Sequence, residues 1–326
     1  MLISEHELTM GNVLSVGSIN MDIIAMAPRE AVLGETLALA EEVRFAHGGK
    51  GANAAVSSVR LGANVHMIGA VGTDPFAEAL LKALAEDGIN TQHILRTEGS
   101  SGIAMILVNA KSGQNTIWIS TGANSRVSLP VLENISGDIF QWADVVMSPL
   151  EIPLPLVIET ARRTKAAGKH FILDPAPAPL EGLPDELYAL CEWISPNEGE
   201  LSALSGVGGI TQLTYADYAD DVPAPVRLAC MRLLSRGVKN VVAKLGAYGA
   251  FLLGEAGEYF IRAKTIDPVD TTAAGDAFTG AFAALLSEGK SAEEALQWGV
   301  SAGTLACTKA GAQPSIHTRA QVGAFL

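Results

Sequence analysis

Short apolar runs recur along this chain, most of them closed by a glycine, a proline or an acidic residue. They are VLSVG at 13–17, VHMIGAVG at 65–72, DVVMS at 144–148, FILD at 171–174, WISP at 193–196 and NVVAKLG at 240–246. Runs this short and this apolar suit strands buried on both faces of a sheet. Segments with helical spacing separate them. The pattern predicts helices from about Asn53 to Leu61, from Thr73 or Asp74 with Pro75, near Pro155, near Pro184, from Asn197, and before Arg236. Proline suits a first helical turn, and Asn197 is a good N-cap. FLL and EYFIRA, at 251–253 and 258–263, read as later strands. The last helices are predicted at Gly275, at Ser291, where Ser291 and Glu294 form a capping box, and near Thr318. Strands alternating with helices predict a mainly parallel sheet covered on both faces.

Two stretches break the alternation. Residues 20–47 (with IIAMA and ETLALAEEVRF) and residues 102–121 (IAMILVN and NTIWIST around a turn at Lys111–Asn115) read as strands and a hairpin. They predict a small sheet standing off the main body as a lid. Such a sheet leaves edges that need cover, so a homodimer through the lid is expected. Residues 207–227 are rich in glycine, proline and aspartate and read as a surface excursion. The expected division is an N-terminal extension over 1–12 and one domain over 13–326.

Composition narrows the function. The chain has 326 residues, 48% hydrophobic and 17% charged, enough for a sizeable core. A net charge of −13 argues against nucleic acid or an anionic membrane as the main partner. Cys191, Cys230 and Cys307 lie far apart in apolar surroundings and read as reduced core residues of a cytoplasmic protein. No signal-peptide pattern opens the chain and no apolar run is long enough to span a bilayer, so a soluble, cytoplasmic protein is expected.

The chemistry concentrates where predicted strands end. VDTTAAGDAFTGAFAALL, at 269–286, places Asp270 and Asp276 either side of the small residues Ala273, Ala274 and Gly275. A helix starting there leaves backbone N–H groups without internal partners, and small side chains let an anion reach them. Asp276 then lies beside any phosphoryl group held at that spot, or merely complements the helix dipole. Asn20 and Asp22 follow the first strand and share a face of an extended chain, a pairing that suits neighbouring sugar hydroxyls or a solvated edge. HGGKGAN at 47–53 lacks Walker A spacing, yet its glycines allow close approach to a ligand while Lys50 and Asn53 can hydrogen-bond it. Glu151, Asp174, Asn197 and Gly246 also follow strands, where open α/β sheets bind ligands. Asn197 with Glu200 reads as a capping box, or as a pair near the water shell of a nucleotide's Mg²⁺. No dinucleotide fingerprint follows a strand.

These residues resemble the PfkB carbohydrate-kinase family. The motifs are GSINMD (17–22), GET (34–36), HGGKGAN (47–53), LGA (61–63), GAVGTDPF (69–76), GIN (88–90) and TGAN (121–124). LDPAPAP (173–179), SPNEGE (195–200), KLGAYGA (244–250), DTTAAGDAFTG (270–280) and GAQPS (311–315) complete the set. The resemblance runs from about Val13 to the C-terminus, apart from 207–227. It implies an α/β fold, a Rossmann-like three-layer α/β/α core with a small β-sheet lid. It also implies ATP-dependent phosphorylation of the terminal hydroxymethyl of a small sugar, ribose foremost. A deoxyribose, ketohexose or nucleoside kinase, and a sugar-binding regulatory protein without catalysis, are the alternatives.

By matching motifs, the resemblance implies that Asn20, Asp22, Gly49, Lys50, Asn53 and Glu151 hold the sugar. Asp276 is the implied base, with Ala273, Ala274 and Gly275 donating N–H groups to the phosphoryl in transfer. Asn197, Glu200, Lys244 and Gly246 fall on the nucleotide side, with Mg²⁺ carried by ATP. A monovalent cation, K⁺, maps to Asp270, Thr272, Ala306, Lys309, Gly311 and Ser315. Two departures stand out. Lys244 replaces a threonine common in the family, which adds positive charge near the nucleotide phosphates. The segment MSPLEIPL carries one extra residue around Glu151.

Overall fold

The computed structural model describes residues 10–135, 137–219 and 221–326. The extension expected over 1–12 lies outside the described residues as far as residue 9; Asn12 already belongs to the first strand. In chain order the strands are β1 (Asn12–Val16), β2 (Asn20–Ala27), β3 (Arg44–Gly48), β4 (Asn64–Val71), β5 (Asn90–Arg96), β6 (Gly102–Asn109) and β7 (Asn115–Ser120). They continue as β8 (Val145–Pro149), β9 (His170–Asp174), β10 (Trp193–Ile194), β11 (Asn240–Lys244), β12 (Ala250–Gly254) and β13 (Gly257–Ile261).

Nine of these form the central sheet in the order β13-β12-β11-β10-β9-β8-β1-β4-β5. Every pairing from β5 across to β11 is parallel, and β12 and β13 extend the edge antiparallel. From β1 the chain first winds through β4 to β5, then returns to β8 and winds the other way. The carboxyl ends of β1 and β8 therefore flank the switch point, where a crevice opens in such sheets. Two apolar clusters cover the faces. One packs Leu14, Ile68, Val146, Leu173 and Val241 under Leu156, Leu187, Leu201 and Leu233. The other packs Val13, Met67, Met147 and Val242 under Ala55, Phe282 and Leu296.

The second sheet, in the order β3-β2-β6-β7, is the lid. β6 and β7 are the expected hairpin, while β2 runs parallel to β6 from Asn20 beside Gly102 to Ala27 beside Asn109. That register puts Asn20, Asp22, Ala46, Ala104 and Ile119 on one face and Phe45, Ile23, Met105 and Trp118 on the other.

Helix boundaries differ from expectation at one functional position. The helix expected from Asn53 begins at Lys50 and runs to Arg60. Gly49, at φ 90°, turns the chain straight out of β3 into it. A Cβ at Gly49 would stand 2.7 Å from the Asn20 nitrogen, so only glycine fits that turn without displacing backbone. The helix at the other motif runs from Ala274 to Ser287. The two helices touch at Gly280, where a Cβ would lie 2.2 Å from the Ala54 carbonyl oxygen. Ser57 Oγ donates to the Ala277 carbonyl at 2.7 Å and Ser58 Oγ to that of Gly280 at 2.9 Å, pinning the pair.

The stretch 207–227 is not simply a surface excursion. Ile210, Tyr218, Val222 and Val226 are buried and belong to the core, and a helix Ala224–Ser235 starts within it. Counting Val207, its polar composition hides five well-spaced anchors. Of the cysteines, Cys191 and Cys230 are buried as expected, whereas Cys307 is only partly covered. At Ser291 the side chain accepts from the Glu294 N–H, the N-cap half of the expected capping box.

Candidate active site

Of the two acids in the helix-start motif, Asp276 points into a crevice, and the Lys50 helix meets it there. Asp276 is 5% exposed. Its Oδ2 accepts from Asn53 Nδ2 at 2.8 Å, and its Oδ1 lies 3.8 Å from Lys50 Nζ. Ala273, immediately before the helix, has φ 61°, the sole non-glycine residue with positive φ among the described residues. Such a left-handed residue costs on the order of 1–3 kcal/mol and tends to occur at functional turns. It rotates the chain so that the first N–H groups of the Ala274 helix open beside Asp276. The Ala274 N–H is partly engaged, donating to the Thr271 carbonyl at 3.3 Å. Gly275 and Asp276 fall in the first turn, where no acceptor exists inside the helix.

Around this pair the strand ends supply the rest. Asn20 opens β2; its Oδ1 accepts from Asn124 Nδ2 at 2.7 Å, and Asn124 also bridges the backbone N–H and carbonyl of Ile19. Asp22 packs over Gly48, where a Cβ would sit 2.2 Å from its carboxylate. Burial first, then the Glu151 and Asp276 carboxylates, push the Asp22 pKa up to about 7. Glu151 follows β8 despite the extra residue in its segment. Its Oε2 accepts from Ser18 Oγ at 2.6 Å and from the Lys50 N–H at 3.2 Å, so it also anchors the start of the Lys50 helix. Its pKa is raised mainly by burial, opposed by Lys50. The Asp276 carboxylate pushes the Lys50 ammonium pKa up against the cost of burial, helped by Asp174, Glu151 and Glu200.

On the other side, Asn197 and Glu200 form the complete capping box. Asn197 Oδ1 accepts from the Glu200 N–H at 2.9 Å, and Glu200 Oε2 from the Asn197 N–H at 2.8 Å. Both also line a cavity of about 250 Å³ with Lys50, Asp174, Lys244, Gly246, Gly275 and Asp276. Lys244 does not reach out freely: its Nζ pairs with Asp174 Oδ2 at 2.9 Å, and Thr279 Oγ1 donates to the same oxygen at 3.0 Å. A neighbouring cavity of about 330 Å³ shares Lys244, Gly246, Thr271 and Gly275, and then turns apolar between Ile266, Pro268, Phe278, Val300 and Cys307.

Asp270 lies away from these cavities and ties two loops together. Its Oδ1 accepts from the Thr272 N–H at 2.9 Å and hydroxyl at 2.6 Å, and its Oδ2 from the Gly311 N–H at 2.9 Å. The Val269 N–H donates to the Cys307 carbonyl at 2.8 Å, so the segments carrying Ala306, Lys309, Gly311 and Ser315 abut the Asp270 segment.

The structure thus gathers Asn20, Asp22, Gly49, Lys50, Asn53, Glu151, Asn197, Glu200, Lys244, Gly246 and Ala273–Asp276 around one crevice. Reasoning from sequence missed Ser18, Asn124 and Thr279, and left Asp174 unassigned. Ser18 and Asn124 do lie inside recognisable motifs. The wall from 263–268 and 300–307 carries no recognisable motif, and its apolar members Ile266, Pro268 and Val300 give no local sign of a cavity.

The pfkB family carbohydrate kinase profile matches residues 10–319. The chain belongs to this family: it is an ATP-dependent carbohydrate kinase with the ribokinase-like fold. It is 38% identical to a ribokinase of Haemophilus influenzae, over 95% of this chain and 97% of that one. It is 32% identical to a deoxyribokinase of Salmonella typhimurium, over 95% of this chain and 97% of that one. A structure of Arabidopsis thaliana ribokinase complexed with ribose and ATP superposes with a TM-score of 0.84 at 31% identity, covering 97% of this chain and 99% of that one.

Asp22 gives the site a pH dependence that can be measured. If Asp22 holds the sugar as its motif implies, sugar hydroxyls donate to the carboxylate and binding favours its ionised form. Ribose affinity in the absence of nucleotide is expected to rise as pH passes upward through about 7 and then level off. The stability contribution has the opposite sign. A raised acid pKa leaves the unliganded fold most favoured below the ordinary carboxylate range, and that advantage is lost as pH rises to about 7. Calorimetric titration across this range should show the step in wild type and none in Asp22→Asn.

Proposed function

We propose that this protein transfers the γ-phosphoryl of ATP to the terminal hydroxymethyl of D-ribose, giving ribose 5-phosphate, in the cytoplasm. The observation that carries the reading is the buried Asp276 carboxylate at an open helix start, between Lys50 and Asn53. Phosphoryl transfer needs in-line positioning and stabilisation of charge on the equatorial oxygens more than covalent chemistry. Asp276 takes the hydroxyl proton as the oxygen bonds to phosphorus. The N–H groups of Ala273, Ala274 and Gly275 cradle the moving phosphoryl, and the Ala274 N–H leaves its long bond to Thr271 to do so. Asn20, Asp22, Gly49, Lys50, Asn53 and Glu151 orient the sugar. Asn53 Oδ1 is buried and lacks a hydrogen-bond partner among the described residues, as suits an acceptor kept for a sugar hydroxyl. Asn197, Glu200, Lys244 and Gly246 face the nucleotide phosphates.

Two cations fit the residues present. Asp174 Oδ1 is buried and also lacks a hydrogen-bond partner among the described residues, and with Glu200 it lines the phosphate cavity. Those oxygens suit the water shell of a nucleotide-borne Mg²⁺, which supplies neutralising charge to the phosphates. The proposed ligands of a monovalent cation are the Asp270 carboxylate, backbone oxygens of Thr272, Ala306, Lys309 and Gly311, and the Ser315 hydroxyl, carried on segments that Asp270 and Val269 join. That is the all-oxygen set a hard cation takes, and K⁺ there would steady the helix start from behind.

The lid is proposed to pair with a second copy. β7 is an edge strand whose Ile117, Trp118 and Ile119 are all about half exposed, so apolar side chains lie bare on both of its faces. Light scattering should give a dimer for wild type and a monomer for the double variant Trp118→Lys, Ile119→Lys; an unchanged dimer would rule out this interface.

A coupled ADP-release assay with ribose, deoxyribose, fructose and a nucleoside tests the substrate. Ribose is expected to give the highest kcat/KM. Preference for deoxyribose would point to the activity named for the Salmonella relative, and no turnover on any of them would leave a binding protein.

A further inference from the structure

The stretch 207–222 lies outside every family motif, yet it is fastened to the loop that closes the nucleotide side. Tyr218 stacks on Tyr248 with ring centroids 4.2 Å apart and planes at 14°, and Tyr215 meets the same ring edge-on at 4.8 Å. Tyr248 Oη donates to the Leu213 carbonyl at 3.1 Å. Arg262 Nη2 donates to the carbonyls of Tyr218 at 2.7 Å and Ala219 at 3.0 Å. Within the stretch, Asp217 Oδ2 accepts from the Thr214 N–H and hydroxyl, both at 2.7 Å. Tyr248 itself closes the short turn Gly246–Tyr248 that follows β11 and Lys244. Three aromatic rings thus couple this non-motif segment to the turn that lines both cavities.

Tyr218 is buried and structural. Tyr215 is not: it is 65% exposed and lines the apolar cavity. The two cavities share Lys244, Gly246, Thr271 and Gly275, the end with the helix-start N–H groups and the lysine, which suits phosphates. Tyr215, Ala247, Ile266, Phe278 and Val300 line only the apolar cavity. A nucleotide whose phosphates occupy the shared end therefore lays its base in the apolar end.

We infer that Tyr215 is a nucleotide-binding residue of this chain, an aromatic rim contributed by the 207–222 segment that packs against the base of the bound nucleotide. The inference rests on the nucleotide side proposed above but not on the identity of the sugar. Edge contact with Tyr248 holds the Tyr215 ring in place beforehand, so little side-chain freedom is lost when the base arrives. A base-stacking aromatic typically contributes about fivefold to a hundredfold in affinity.

Calorimetry with ADP, and separately with inorganic tripolyphosphate, tests it without any sugar. Tyr215→Ala is expected to weaken ADP binding at least fivefold while tripolyphosphate binds as to wild type, and Tyr215→Phe is expected to bind both normally. In steady state Tyr215→Ala should raise the KM for ATP and leave the KM for the sugar unchanged. Equal ADP affinity in wild type and Tyr215→Ala overturns the inference. So does an equal loss for tripolyphosphate, because the side chain would then act by shaping the Gly246 turn. A clear Tyr215 effect on ADP in a protein that phosphorylates no ribose would uphold the inference and remove the ribose reading instead.

Discussion

Asp276→Asn is expected to lower kcat by about a hundredfold to ten-thousandfold, the usual cost of removing a positioned general base. The amide is nearly the same size, and its oxygen can still accept from Asn53 Nδ2, which now donates to Asp276 Oδ2 at 2.8 Å. The packing of the Lys50 and Ala274 helices at Gly280 is untouched, so the variant should fold. What disappears is the carboxylate proposed to accept the hydroxyl proton. The fall should therefore be concentrated in kcat, with ADP and ribose affinities changed only a few fold. A rate near that of wild type would take Asp276 out of the mechanism.

Lys50→Met should cost about a hundredfold to a thousandfold in kcat/KM, comparable to removing one strong electrostatic stabiliser from a water-poor site. The lysine stands 3.8 Å from Asp276, and its charge is balanced by four acids, Asp276, Asp174, Glu151 and Glu200. Without it the carboxylates face one another alone. Glu151, whose pKa burial raises and the Lys50 charge holds back, would keep its proton to higher pH. The acidic limb of the pH profile for sugar binding should move upward in Lys50→Met and stay in place in Lys50→Arg. A loss of rate with an unmoved profile would make Lys50 a contact to substrate only.

How far the chain could be read beforehand depended on the range of the interaction. Local patterns carried the alternation of strands and helices, the hairpin β6–β7, the Asn197–Glu200 box and the helix start at Gly275. Each depends on residues close together in sequence. What escaped was long-range. Nothing near Asn53 announces its bond to Asp276, 223 positions away, and nothing near Glu151 announces that it holds the Lys50 N–H. That second contact, with the turn at Gly49, is why the helix begins three residues earlier than its apolar spacing suggested. Lys244 was expected to add positive charge near the nucleotide phosphates, but nothing local announced its pairing with Asp174, where the partly buried lysine at the end of β11 meets the carboxylate at the end of β9. Polar composition likewise disguised 207–227, where a few apolar anchors, Tyr218 above all, decide the packing.

The central claim is that one carboxylate beside an open helix start serves as proton acceptor while the neighbouring N–H groups hold the phosphoryl in flight. A crystal structure with ribose, ADP and aluminium fluoride examines it directly. The claim predicts an Asp276 oxygen about 3 Å from the ribose hydroxymethyl oxygen, a hydrogen-bonding distance. The fluoride group should rest on the backbone N–H groups of Ala273 to Gly275. A hydroxymethyl oxygen bonded instead to Asp22 or Glu151, with Asp276 farther away than a single water could bridge, would contradict it.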